Sequence, residues 1–398
     1  MDSPALSPNS PTGSPQASRL TPDTMRAQMP ISRRIAYFDH AAVAPLSGPA
    51  STALSHWSQQ AAELGDTVWL DWNEGVERTR QSAATLIGAD TDEVALVANT
   101  TTGINFVAEG LDWRTGDNVV ILGDEYPSNV YPWMHQQDRG VETRFVETDF
   151  GRLDPDKLRQ ACDSRTRVVS VSWSGFSTGY RHDIDRLVEI AHAAGALFFL
   201  DAIQGLGVFP LDVTQTPVDF LAADGHKWML GPEGAGLAYI RGEHLDRLRT
   251  IGVGATSVVG RYDYSTIDYR LRNCAARYEG GSHNMAGFIG WGASLELLAQ
   301  WAPGELATAV LAISDLAVER LQSAGAEVLT HRRLGPDGHD PRSGIVAFTV
   351  PGQDPMEARK RCLEAGIALS CRGGRLRISP HGYNNADDVD RLIDALFH

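Results

Sequence analysis

Asp201 ends the apolar run Leu197-Phe198-Phe199-Leu200. Lys227 follows the run Val218-Asp219-Phe220-Leu221-Ala222-Ala223, inside the polar turn Asp224-Gly225-His226-Lys227-Trp228. A strand buried in a parallel sheet reads as a near-continuous apolar run and delivers the next residue to the edge where ligands bind. An acid and a lysine 26 residues apart, each just past such a strand, are the pair that pyridoxal phosphate (PLP) chemistry requires. The carboxylate keeps the pyridine nitrogen protonated so that the ring accepts electrons, and the amine forms a Schiff base. A surface salt bridge uses the same residue types, so the rest of the site must carry the reading.

A phosphate needs donors. Asn99-Thr100-Thr101-Thr102-Gly103-Ile104-Asn105 follows a strand signal and opens a helix, where hydroxyls and unpaired backbone N–H groups suit a dianion. Thr100 and Thr101 are the candidate ligands. Tyr126, in Glu125-Tyr126-Pro127-Ser128-Asn129, follows the next strand and could stack on a pyridine face. The stretch Arg375-Leu376-Arg377-Ile378 reads as a strand with its arginines on one face. A guanidinium fork grips a carboxylate bidentately, but the alternation makes Arg375 and Arg377 equivalent. His40, just past the first strand signal, is a candidate second acid/base at the substrate, against a purely structural role.

The elements that would position these groups alternate. Strand patterns at 93–98, 118–122, 143–147, 167–173, 196–201, 218–223 and 235–240 are interleaved with helical ones at 101–110, 154–162 and 183–194. That rhythm implies crossover units and a largely parallel sheet covered on both faces, an α/β architecture. Further on, helical patterns at 291–301, 305–324, 355–365 and 386–397 flank a strand at 345–350, the signature of a smaller α+β unit. The expected division is a disordered tail at 1–29, rich in Ser and Pro, then a segment at 30–49 packing with the small domain. A large domain at 50–288 and a small C-terminal domain at 289–398 follow.

Composition narrows the partners. The 398 residues carry a formal charge of −15 with no basic cluster, which argues against nucleic acid and anionic membranes. No apolar run approaches a membrane span. Four cysteines (Cys162, Cys274, Cys362, Cys371) without CxxC spacing argue against a zinc site or disulfide framework and for a reducing cytoplasm.

Taken in order, Asp201-x-x-Gln204, Asp224-Gly225-His226-Lys227, Asn99 to Asn105, Glu279-Gly280-Gly281-Ser282 and Arg377-Ile378-Ser379-Pro380-His381 resemble the class V aminotransferase family of fold-type I PLP enzymes. That family includes cysteine desulfurases, isopenicillin N epimerase, kynureninase and carbon–sulfur lyases. The resemblance implies a large domain built on a mostly parallel, seven-stranded-type sheet, and a homodimer with shared active sites. It casts Lys227 as the Schiff-base lysine, Asp201 as the pyridinium partner, Tyr126 as the stacking residue and Gln204 as a donor to the phenolic oxygen. His226 and Thr101 would touch the phosphate, and Ser282 would reach the partner's site. Arg377 would hold the substrate carboxylate, which resolves the choice between the two arginines.

Departures from desulfurases shape the expected reaction. Cys371 lies six residues before Arg377, with no room for the loop that carries a desulfurase nucleophile. Phe176 and Asp224 replace that branch's asparagine and phosphate-binding serine. The stretches 175–182 and 379–384 look closer to the epimerase-like branch. The expected function is therefore an aminotransferase/epimerase-like reaction at the α-carbon of an amino acid. A cysteine desulfurase or carbon–sulfur lyase is the alternative, and a non-catalytic PLP-fold binding protein the alternative of another class.

Overall fold

The computed structural model describes residues 19–398. A short helix, α1 (Pro22–Ala27), precedes β1 (Ala36–Tyr37), α2 (Gly48–Glu63) and α3 (Trp69–Ile87). Then come β2 (Val94–Val97), α4 (Thr100–Gly110), β3 (Asn118–Leu122), α5 (Tyr131–Met134), β4 (Glu142–Val146) and α6 (Pro155–Ala161). The series continues with β5 (Thr166–Ser172), α7 (Ile184–Ala193), β6 (Leu197–Asp201), β7 (Phe220–Asp224) and β8 (Gly236–Ile240). Two long helices follow, α8 (Met285–Leu298) and α9 (Glu305–Ser323). The chain ends with β9 (Glu327–Val328), β10 (Val346–Thr349), α10 (Pro355–Glu364), β11 (Ile367–Ala368), β12 (Ser370–Arg372), β13 (Arg375–Ile378) and α11 (Ala386–Phe397).

Seven strands form the main sheet in the order β2-β8-β7-β6-β5-β3-β4. Only β8 runs against the others, so the sheet is mostly parallel, as the alternation implies. Side chains alternate between two cores. On β6, Phe198 and Leu200 enter the core with α3, α7 and α8, while Phe199 enters the core with α4. Period two therefore carries Asp201 to the α4 side. The same count on β7, with Phe220 and Ala222 on the α4 side, sends Asp224 there too. Helix α4 lies close on the sheet because Gly103 allows it: a Cβ there would sit 2.6 Å from Ala222 Cβ. This close approach brings Thr100 and Thr101 to the ends of β6 and β7.

A second, four-stranded sheet, β12-β13-β10-β9, is antiparallel. Its core joins Val346, Phe348, Leu376 and Ile378 to α9, α10 and α11, and takes in Ala36 and Phe38 of the N-terminal segment, where β1 pairs with β11.

Two sequence expectations need correction. The tail does not extend to residue 29: Thr21 caps α1, and Met25 and Met29 are fully buried in the large core. The part of that expectation covering residues 1–18 lies outside the described residues. The division at 288/289 cuts through α8, whose apolar residues pack on α2 and α3 in the large core, so the unit around the small sheet begins later, along α9. Finally, α2 and α3 were not anticipated, although Ser47 with Pro49 is a helix start and Gly88, at φ 66°, a helix stop. No helix among the described residues is long and apolar enough to cross a membrane.

Candidate active site

The C-terminal ends of β6 and β7, the start of α4, the turns after β3 and β5 and the β12–β13 hairpin enclose a cleft of about 390 Å³. That is within the usual range for a small-ligand site. Thr100, Thr101, Tyr126, Asp201, Gln204, His226, Lys227 and Arg377 all line it. Burial dominates its electrostatics. It pulls the Lys227 amine down to about 8, against the attraction of Asp201 and with the help of Arg377 and Arg372. It also pushes the Asp201 carboxyl up to about 6. The Lys227 Nζ lies 5.6 Å from the centre of the Tyr126 ring, which meets the Phe176 ring edge-on at 5.1 Å.

The polar groups are held by their neighbours. Gln204 Oε1 accepts from Trp228 Nε1 at 2.9 Å and its Nε2 donates to the Ala41 carbonyl at 3.0 Å. One Nε2 hydrogen is left for a ligand oxygen. Thr100 Oγ1 accepts from the Asp224 backbone N–H, tying α4 to the end of β7. Arg377, 1 % exposed, donates to Ser370 Oγ (2.9 Å), the Phe176 carbonyl (2.6 Å) and Asp39 Oδ1 (3.0 Å). Five donors minus three leaves two N–H groups for a carboxylate. Asp39 and Ser370 are thus parts of the site that sequence reading missed, and they fix the guanidinium's plane.

The cleft fits PLP. Asp224 Oδ1 and His226 Nδ1 are buried there without a hydrogen-bond partner, as expected of groups awaiting a polar ligand. His226 Nδ1 and Asp224 Oδ2 lie 3.0 Å apart at the end of β7. Lys227 and Asp201 line the same cleft, as do Thr100 and Thr101 at the start of α4, where Asn99 Oδ1 caps the Thr102 N–H.

One expected site residue lies elsewhere. His40 does not face the cleft: it is fully buried, with Nδ1 2.9 Å from the Ser379 carbonyl oxygen and Nε2 2.9 Å from the Tyr383 hydroxyl. Its neighbours Ala41 and Ala42 line the cleft instead, because the chain turns there. Ser282 is exposed and lies outside the cleft of its own chain. Glu279, from the same motif, is structural: it pairs with buried Arg80, accepts from the Leu96 backbone N–H and meets His283 at 2.7 Å.

The His40 cluster has a measurable consequence. Burial holds His40 well below the usual histidine range and brings His381 down to about 4. Both imidazoles gain protons in the unfolded chain below about pH 6.5, but in the folded chain only at much lower pH. Their contribution is therefore full above pH 6.5 and lost as the pH falls towards 4. In His381→Gln, urea melts between pH 6.5 and 4.5 should show a slope smaller by up to about 1.4 kcal/mol per pH unit. An unchanged slope would mean that His381 is already protonated when folded.

None of the four cysteines lines the cleft. On β12, Ser370 pairs with Arg377 and Cys371 with Leu376, so Cys371 shares the face that packs into the small core and Ser370 the face of Arg377. Gly373 and Gly374, at φ 56° and 73°, make the two-residue turn between these strands, leaving no mobile loop.

Comparison with known proteins places this geometry. A family model described as Aminotransferase class-V matches residues 36–392. A probable cysteine desulfurase of Methanothermobacter thermautotrophicus is 30% identical over 405 residues, covering 94% of this chain and 97% of that protein. Isopenicillin N epimerase of Streptomyces clavuligerus is 28% identical over 340 residues, covering 80% of this chain and 83% of that protein. A solved structure of a C-DES variant, with glycine covalently linked to its PLP cofactor, superposes with a TM-score of 0.86 at 22% identity. It covers 93% of this chain and 98% of its own.

Proposed function

This chain belongs to the class V aminotransferase family, whose members are PLP-dependent enzymes of this fold, and on that premise we propose that it cleaves the Cβ–S bond of a cysteine-type amino acid. The reading takes up the alternative drawn from the sequence rather than the epimerase-like main expectation. Two kinds of support favour it. Among the similar proteins, cysteine desulfurases are prominent and include one at 30% identity, whereas the epimerase stands at 28%. Epimerisation also gains no second acid/base from His40, which is fully buried against the Tyr383 hydroxyl.

In this reading Lys227 holds the cofactor, then moves the α-proton with an amine that burial has already brought near neutrality. Asp201 holds the pyridine nitrogen's proton, Tyr126 covers a ring face, and Thr100, Thr101 and His226 hold the phosphate. Gln204 donates its remaining N–H to the phenolic oxygen, and Arg377 grips the α-carboxylate. When bound, PLP supplies the electron sink for the charge left at the α-carbon. The sulfur fragment leaves Cβ with the bond's electron pair, and the three-carbon remainder hydrolyses to pyruvate and ammonia.

The single observation that shapes the reaction is the absence of a thiol from the cleft. A desulfurase that stores sulfur on itself needs a thiolate near the substrate, and Cys371 lies on the Leu376 face of the hairpin, outside the cleft. Incubating the holoenzyme with L-cysteine or L-cystine should yield pyruvate and a low-molecular-weight sulfur product, with no protein-bound persulfide, and Cys371→Ser should turn over within about twofold of wild type. Persulfide that vanishes in Cys371→Ser would restore a self-persulfidating desulfurase, and loss of optical rotation without pyruvate would restore the epimerase.

A homodimer fits the same picture. Tyr262, Tyr264, Ile267 and Tyr269 are 50–97% exposed on one segment, more apolar surface than a solvated loop needs, and a second copy would cover them and bring Ser282 to its cleft. A cytoplasmic location suits the four free cysteines.

A further inference from the structure

Arg372 was not among the residues singled out from the sequence, yet it lines the same cleft as Lys227 and Arg377. Its position follows from the Gly373-Gly374 turn. That turn pairs Arg372 with Arg375 and Ser370 with Arg377, so all four side chains leave one face of the hairpin. The three arginines then meet different fates. Arg377 is pinned by Asp39, Ser370 and the Phe176 carbonyl. Arg375 turns away from the cleft and lies over the Phe150 ring, 5.0 Å from its centre. Arg372 is half-buried and donates only to the carbonyl of its neighbour Cys371, and no carboxylate among the described residues forms an ion pair with it.

Asp201, Asp224 and Glu233 also line the cleft, but none of them forms an ion pair with Arg372, and a guanidinium partly withdrawn from water beside Lys227 and Arg377 suits an anion from outside. The cofactor phosphate belongs to Thr100, Thr101 and His226 on the large sheet. The α-carboxylate belongs to Arg377, whose plane is already set. What is left is a second anionic group on the substrate itself.

We propose that Arg372 is a specificity residue that receives a side-chain carboxylate, so that the preferred substrate is an amino acid carrying a second acidic group beyond Cβ. This rests on the reading that Arg377 holds the α-carboxylate. With Cβ–S cleavage, the substrate class becomes a sulfur-linked amino acid whose departing fragment bears a carboxylate.

The test uses probe pairs that differ only in charge. S-carboxymethylcysteine and S-carbamoylmethylcysteine report on turnover, through KM and kcat measured separately. Glutamate and glutamine, which have no sulfur to lose, report on binding to the holoenzyme by calorimetry. The wild type should favour the acidic member of each pair by about tenfold or more, in KM and in Kd, since a charge-assisted contact contributes on that scale. In Arg372→Gln that ratio should fall close to one. In Arg372→Lys, which keeps the charge and loses the fork, it should lie between. A wild-type ratio near one overturns the proposal. So does an Arg372→Gln enzyme that weakens both members equally, because Arg372 would then be holding the α-carboxylate. If neither sulfur compound is cleaved while the glutamate preference and its loss in Arg372→Gln persist, the lyase reading fails and the role of Arg372 stands.

Discussion

Replacing Lys227 by alanine is expected to give a folded protein that binds PLP without a covalent link and has lost turnover by several orders of magnitude. Lys227 is the amine lining the cleft, and burial keeps it from holding its proton as tightly as a free lysine. In the proposed function, loss of the side chain removes both the attachment point and the group that moves the α-proton, and effects of a residue with two roles are not recovered by its neighbours. Borohydride reduction of the wild-type holoenzyme followed by peptide mass analysis should place the cofactor's mass on the Lys227 peptide, and Lys227→Ala should show none. A reduced cofactor on another lysine in the wild type would show the assignment to be wrong.

The second large effect belongs to Asp201. Its carboxyl is 2% exposed and accepts the Ile203 backbone N–H at 3.1 Å, which orients it at the end of β6. Burial raises its own proton affinity, to about 6 in the cofactor-free protein. A pyridinium proton would reverse that preference, because a positive partner favours the carboxylate. Asp201→Asn keeps the shape and the hydrogen bond but not the charge. The expected outcome is a normally folded protein with kcat reduced about 10²- to 10³-fold, the scale of a removed electrostatic contact in a buried site. The cofactor's absorbance should also shift with pH in the range where an unsupported pyridine nitrogen titrates. Near-normal kcat in Asp201→Asn would point to another acid beneath the ring.

Much of this protein is legible in its sequence. The seven strands of the main sheet and most of the helices are written as local periodicity, since a two-sided buried strand and an amphipathic helix each impose a repeat on neighbouring residues. Asp201 and Lys227 are legible for the same reason: each follows an apolar run directly, and the end of a parallel strand is where a ligand site forms. Other features could have been read and were not. Ser47 and Gly88 bracket α2 and α3, and the Gly-Gly turn sets the register that puts Arg372 beside Arg377.

The rest was decided by packing. Period two makes Arg372, Arg375 and Arg377 co-facial, but only the contacts of each side chain separate a pinned clamp, a cation over a ring and an unpaired arginine in the cleft. His40 sits one residue before the cleft lining in sequence, and a single turn of the chain sends it into a buried cluster with Tyr383 and His381. Glu279 belongs to a motif that looks functional, yet Arg80, almost two hundred positions away, makes it a structural anchor. Cys371 lies on the Leu376 face, opposite to that of Arg377, because its strand pairs with β13 in one register and no other. In each case the residue's role depends on partners distant in the chain. Local sequence sets the direction of a side chain relative to its own element, and only the tertiary structure sets what lies in that direction.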